Sequence, residues 1–266
     1  MLEYRERAPH PFLAPWVRCL WSLRGAPSPG ALERVLPDGC MEWVFHLGEP
    51  FRIQDEAGRL APQTSALLVG ATTRAIVLAP SRDVDVVAIR FRPGGAAPFV
   101  RAPATRWRDD VVPLDASGDR GLEELERRLR ETPAERRLDV LEGACLRRAS
   151  RFGARARRLV PAVEALLDGG VSVDGVAHAC ALGARQLERR FLEEVGLSPR
   201  QVARVGRFQR AARLLESAAP LAAIAQASGY ADQSHFGREF LAFAGITPAR
   251  YRLAAHELAS AFVAGG

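Results

Sequence analysis

The sequence predicts an α+β chain in two parts, a β-rich N-terminal half followed by an all-helical C-terminal region. Three observations carry this prediction. Between Leu32 and Phe91, short runs rich in β-branched and apolar residues are punctuated by Pro and Gly. After Pro113 the texture turns to Arg, Glu and Leu at helical spacing. From Val176 onward a segment recurs about 49 residues later, as an internal duplication would. A length of 266 residues with 48% hydrophobic content suits two packed domains.

The β-rich part reads as the runs LERVL, MEWVFHL, ALLVG, AIVLA and DVDVVAIRF, an antiparallel sheet domain. Pro93-Gly94-Gly95 follows the last run. It lacks the G-x-x-x-x-G-K-[ST] pattern of a phosphate loop, and the chain has no lysine, so the expectation is a tight turn into a short helix. Leu122, Leu125 and Leu129 share one helical face, and Leu138, Leu141 and Leu146 follow Pro133, which predicts two connector helices. The arginine-rich run RRASRFGARARR, Arg147 to Arg158, reads either as a solvated linker or as an edge that faces phosphate. The expected division is 1–150, a sensor or dimerisation domain with its helical connector, and 151–266, an all-α domain.

All 37 cations are arginines. Residues 1–150 carry 22 of them against 21 acidic residues, while residues 151–266 carry 15 against 10. That excess favours a polyanionic partner for the C-terminal part, because cations that neutralise phosphates release condensed counterions.

Several classes are disfavoured. The first twenty residues break any apolar stretch with charges and prolines, and no run approaches the roughly 18 apolar residues of a membrane span, so a soluble cytoplasmic protein is expected. Cys19, Cys40, Cys145 and Cys180 form no C-x-x-C pair and read as small buried or half-buried thiols. His46, four residues after Glu42, stands alone in the strand region and reads as a β-sheet histidine, with neither metal nor other cofactor indicated. An enzyme-like alternative would use Cys40, Asp38, Glu42 and His46 as a nucleophile-and-base cluster. Even spacing on a strand would place Cys40, Glu42 and His46 on one face, an arrangement that a ligand pocket would share.

The duplication is the informative feature. Val176 to Val202 resembles Ile224 to Tyr251: Leu187, Phe191, Gly196, Leu197, Ser198 and Pro199 correspond to Phe236, Phe240, Gly245, Ile246, Thr247 and Pro248 at an offset of 49. Val176 and Ala177 match Ile224 and Ala225 at an offset of 48, so one residue is inserted between the apolar stretches, where a turn is expected. Each copy predicts a short helix (Val173 to Cys180, Leu221 to Ser228), a turn with Gly183 or Gly229, and a second helix (Arg185 to Val195, Asp232 to Phe243). The second helix turns Leu187 and Phe191, or Phe236 and Phe240, inward at i, i+4 and keeps its other side polar. Asp232 is placed to cap its helix, and Gly followed by an apolar residue and Ser/Thr-Pro ends each second helix and starts the next. Ser198 to Glu216 reads as one joining helix of about 19 residues, or about 28 Å.

At this point GYADQSHFGREFLAFAGITPARYR and LGARQLERRFLEEVGLSP resemble the AraC/XylS family of bacterial transcription regulators, over roughly Arg155 to Arg252. The resemblance implies two helix-turn-helix units that bind double-stranded DNA. It implies base-reading roles for Arg185, Gln186 and Arg189 in the first unit, and for Gln233, Ser234, His235 and Arg238 in the second. For each of these the competing role is solvation, phosphate contact or, for His235 beside Phe236, packing. VLPDGCMEWVFHLG and IRFRPGGAAPFVRAP are similar to sensor domains found on this family, which implies a cupin-like β domain that binds a small-molecule effector or dimerises. A second copy of the chain and RNA polymerase are the other partners the resemblance brings in. Effector-independent repression is the alternative.

Overall fold

β-Branched and aromatic residues pair into two antiparallel sheets in the computed structural model, which describes residues 2–28, 30–100, 102–114, 120–151 and 159–253. Most of the arginine-rich run, residues 152–158, lies outside the described residues. Among the described residues the ten strands are β1 (Leu2–Arg7), β2 (Val17–Gly25), β3 (Glu33–Val35), β4 (Glu42–His46), β5 (Arg52–Gln54), β6 (Leu60–Pro62), β7 (Ala66–Val69), β8 (Ile76–Ala79), β9 (Val84–Phe91) and β10 (Val111–Pro113). Six of them form one sheet in the order β1-β2-β9-β4-β7-β10; the other four form a second in the order β3-β8-β5-β6.

The five expected runs are all strands, but the sheet begins at Leu2 rather than near Leu32. The long β1–β2 hairpin, from Leu2↔Gly25 to Arg7↔Leu20, supplies an edge strand and a central strand. β1 hides from sequence reading because four of the six residues of LEYRER are charged, which suits an edge strand with one side in water. Pro93 to Ala96 is the expected turn, with Gly94 at φ +80, and it leads into a 3-10 turn at Ala97–Phe99.

The helices are α1 (Arg120–Glu131), α2 (Arg137–Ala149), α3 (Val160–Asp168), α4 (Val173–Ala179), α5 (Ala184–Glu194), α6 (Pro199–Leu214), α7 (Leu221–Ala227), α8 (Gln233–Ala244) and α9 (Pro248–Leu253). α1 and α2 are the two connector helices, and α2 packs on β2 and β9. α3 was not singled out in the sequence. Its buried Val160, Val163 and Leu166 lie against α6, where Gly206 comes so close to Leu167 that an added Cβ would sit 2.1 Å from its carbonyl oxygen.

One side of the six-stranded sheet, with Leu20, Trp43, Phe45, Ile89 and Phe91, belongs to an apolar core that continues through α1 and α2 into the C-terminal helices. The opposite side, with Trp21, Leu23, Val44 and Val86, meets Phe51 and Leu78 beside the second sheet. The core is therefore continuous across the expected division rather than split between two separate centres.

The nucleophile-and-base cluster assembles only in part: Asp38, Cys40 and Glu42 gather around Arg90, and His46 stands apart. Glu42 and His46 do share a face of β4, yet they stand four positions, about 13 Å, apart along the strand, and Cys40 lies outside it. Asp38 and Glu42 instead hold the buried guanidinium of Arg90, with Arg90 Nη1 3.4 Å from Glu42. Burial pushes the Cys40 thiol up to about 12 and the His46 imidazole down to about 4, so one is a protonated thiol and the other a neutral ring at neutral pH. His46 packs 4.8 Å from Phe51, as a β-sheet histidine would. Cys19, Cys40 and Cys145 are buried and Cys180 is half-buried. Among the described residues no helix is long and apolar enough to cross a membrane.

Candidate nucleic-acid interface

Local sequence fixes each helical unit. In the first, Ser172 caps α4 by accepting the Gly175 N–H at 3.1 Å, and four residues separate α4 from α5. In the second, five residues separate α7 from α8, so the inserted residue lies in the turn. The left-handed turn residue is Gly229 (φ +84) in the second unit, as expected, but Ala181 (φ +51) in the first. Gly183, assigned to that turn by sequence, has extended backbone and is the N-cap of α5. Alanine at this φ costs about 1–2 kcal/mol that glycine avoids.

Asp232 caps α8 as anticipated, accepting the His235 N–H at 2.7 Å, a bond that holds its carboxyl below the usual range. Gly245 at φ +70 ends α8 and Gly196 at φ +84 follows α5. Ser198 and Gln201 then form a reciprocal capping box on α6 behind Pro199. α6 has 16 residues, about 24 Å, three shorter than expected because Ser198 and Leu215 are its caps and the chain turns to i−3 bonding at Glu216.

Leu187 and Phe191 of α5 and Phe236 and Phe240 of α8 are fully buried, each contributing about 1.5–3 kcal/mol. Phe208 of α6 stands 5.0 Å from Phe240, and Phe236 meets Phe240 edge-on at 5.6 Å. This packing turns the opposite faces of both helices outward. Arg185, Gln186 and Arg189 are exposed on α5; Gln233, Ser234 and Arg238 are exposed on α8.

These side chains differ in their freedom. Arg189 is 71% exposed, its nearest carboxylate Glu193 at 3.9 Å. Gln186 spends its side-chain oxygen on the Gly183 N–H, so its local role is capping. His235 departs from the outward set. Its ring meets Tyr230 edge-on at 5.3 Å and its Nε2 lies 3.9 Å from Glu239, the packing role weighed against base reading.

Glu239 went unremarked in the sequence and is the buried anchor of the second unit. Its carboxylate accepts Arg204 Nε at 2.8 Å and Arg207 Nη2 at 2.9 Å, tying α8 to α6. Burial alone would raise its pKa, but the two guanidiniums outweigh that and hold it below the ordinary glutamate range. The spacing Arg204-x-x-Arg207 was visible, but nothing local pairs it with a residue 32 positions away.

The N-terminal half touches the far ends of both second helices. Arg34 Nη1 donates to the Ala244 carbonyl at 2.9 Å, and the Ala75 N–H donates to Phe243 at 2.6 Å, so β3 and the residue preceding β8 hold the C-terminal end of α8. An added Cβ on Gly196, just past α5, would meet the Ala104 carbonyl at 3.0 Å. Gln209 of α6 donates to the Pro37 carbonyl, and Arg92 pairs with Glu164 of α3.

A family profile described as a helix-turn-helix domain matches residues 176–254, the span from α4 to α9. A second, a domain of unknown function (DUF6597), matches residues 5–113. No curated protein is similar to the chain at a comparable level. Among solved structures, the chain is similar to the xylose-binding transcription activator XylR, at 24% identity over 41% of this chain and 30% of that one, with a TM-score of 0.33. It is similar to ToxT from Vibrio cholerae at 13% identity over 84% of this chain and 95% of that one, with a TM-score of 0.43. The C-terminal domain of AraT, a response regulator from Geobacillus stearothermophilus, is 23% identical over 40% of this chain and 89% of that one, with a TM-score of 0.35. With two capped helical units, each exposing the polar side of its second helix, residues 176–254 form a helix-turn-helix domain, and the chain is a DNA-binding transcription regulator.

Proposed function

We propose that the two units read one operator together, with Arg185, Arg189, Gln233, Ser234 and Arg238 contacting base edges and Gln186 and His235 supporting the helices that carry them. The observation behind this is the exposure of the polar faces of α5 and α8 over fully buried Leu187, Phe191, Phe236 and Phe240. Arginine suits guanine and glutamine suits adenine, each bidentate contact discriminating by about 1–3 kcal/mol. Selection of bound duplexes from a random pool by the full-length chain tests this. Two conserved blocks about 10–10.5 base pairs apart are expected, and a single block would refute joint reading.

Residues 1–150 serve as the control domain and residues 151–266 as the DNA-binding domain, at work in the cytoplasm with the chromosome. A small-molecule effector bound by the N-terminal half would reach both reading helices through Arg34, Ala75 and Ala104, since these touch the chain at or just beyond the C-terminal ends of α8 and α5. RNA polymerase and a second copy of the chain complete the proposed partners.

A further inference from the structure

Between α1 and α2 lie two recesses of about 350 and 400 Å3 whose walls share Arg128 and Arg147. Arg151 also lines the first and Arg136 the second. The carboxylates around them are engaged elsewhere. Glu124 and Glu131 both pair with Arg127, at 2.6 and 2.7 Å, and Asp139 pairs with Arg7 at 2.6 Å. Glu124 faces Arg128 only at longer range. Among the described residues, Arg128, Arg136, Arg147 and Arg151 are all exposed and none forms an ion pair.

We propose that this arginine-lined groove binds a small molecule carrying two or more anionic groups, of the phosphorylated or polycarboxylate class. Four uncompensated guanidiniums raise the local potential, and each presents a planar fork that matches phosphate or carboxylate bidentately. Adjoining recesses with shared walls suit two anionic groups on one ligand. Recesses of this size fall in the small-molecule range and are too narrow to admit a duplex. The floor is the hairpin that packs on β2 and β9, and the Arg147 and Arg151 wall stands at the end of α2 that leads toward the DNA-binding region. Binding stands on this geometry alone; a regulatory consequence rests also on the effector reading above.

The test is calorimetric titration of the full-length chain with sodium pyrophosphate and, separately, with citrate, against sodium chloride of matched ionic strength. One saturable event per chain is expected with at least one of the two probes, and the stronger probe identifies the class. An Arg128→Gln/Arg147→Gln double variant should weaken it at least tenfold, while an Arg185→Gln/Arg238→Gln variant on the DNA-facing helices should not. Should the first variant fold poorly, Arg136→Gln/Arg151→Gln gives the same comparison from the outer walls. Heats no larger than those of chloride, or equal affinity in the groove variants, would overturn the site. Operator affinity measured with and without the bound probe then separates the two claims. A saturable, groove-dependent event with unchanged operator affinity supports the site and refutes its role as the effector site.

Discussion

Replacing Glu239 by glutamine should loosen α8 from α6, the helix that joins the two units. The carboxylate is 7% exposed and accepts hydrogen bonds from Arg204 and Arg207, both on α6. Removing one partner of a fully buried ion pair costs about 3–5 kcal/mol. Arg204 is 48% exposed and Arg207 25%, so water recovers part of what those guanidiniums lose, and about 1.5–3 kcal/mol is the expected loss. The folded-state pKa of Glu239 is depressed, so its contribution is complete at neutral pH and declines as pH falls below about 4.5. Urea unfolding at pH 7 followed by circular dichroism measures the loss, and a cycle with Arg207→Gln isolates the pair. The same variant should lose more affinity for a two-block operator than for a duplex carrying the first block alone. A stability change below about 0.5 kcal/mol, the level of an ordinary surface substitution, would refute the anchoring argument.

The remaining predictions follow from single positions. Arg189→Ala and Arg238→Ala should each weaken cognate binding more than random-sequence binding in anisotropy titrations; equal losses would mark both as backbone contacts. Ala181→Gly should raise stability by about 1 kcal/mol, because the left-handed turn strains alanine, whereas an unchanged or lower urea midpoint would contradict that strain. His46 has a depressed pKa, so its contribution to stability is full above about pH 6.5 and falls as pH drops toward 4. The stability difference between the native chain and His46→Phe should therefore shift by about 2 kcal/mol against the native chain between pH 7 and pH 5, and pH-independence would show that the ring is solvated.

The duplication, the cap at Asp232, the glycines at 196 and 245, and the inward faces of α5 and α8 were all legible in the sequence. Each depends on residues within a few positions of one another, and a helix states its buried side through a period of 3.6 residues. The β1–β2 hairpin, the Glu239 anchor, the packing of His235 and the left-handed Ala181 were decided by tertiary structure. An edge strand carries only a weak apolar signal, and a carboxylate is drawn inside only where distant arginines meet it. Alanine accepts a left-handed turn only because the helices on either side are held by their packing. The contacts of Arg34, Ala75 and Ala104 with the second helices have no local signature at all, because they join backbone groups far apart in the chain. The sequence by itself thus determined which helices turn a polar face outward, and only the folded chain decided what holds them at their spacing.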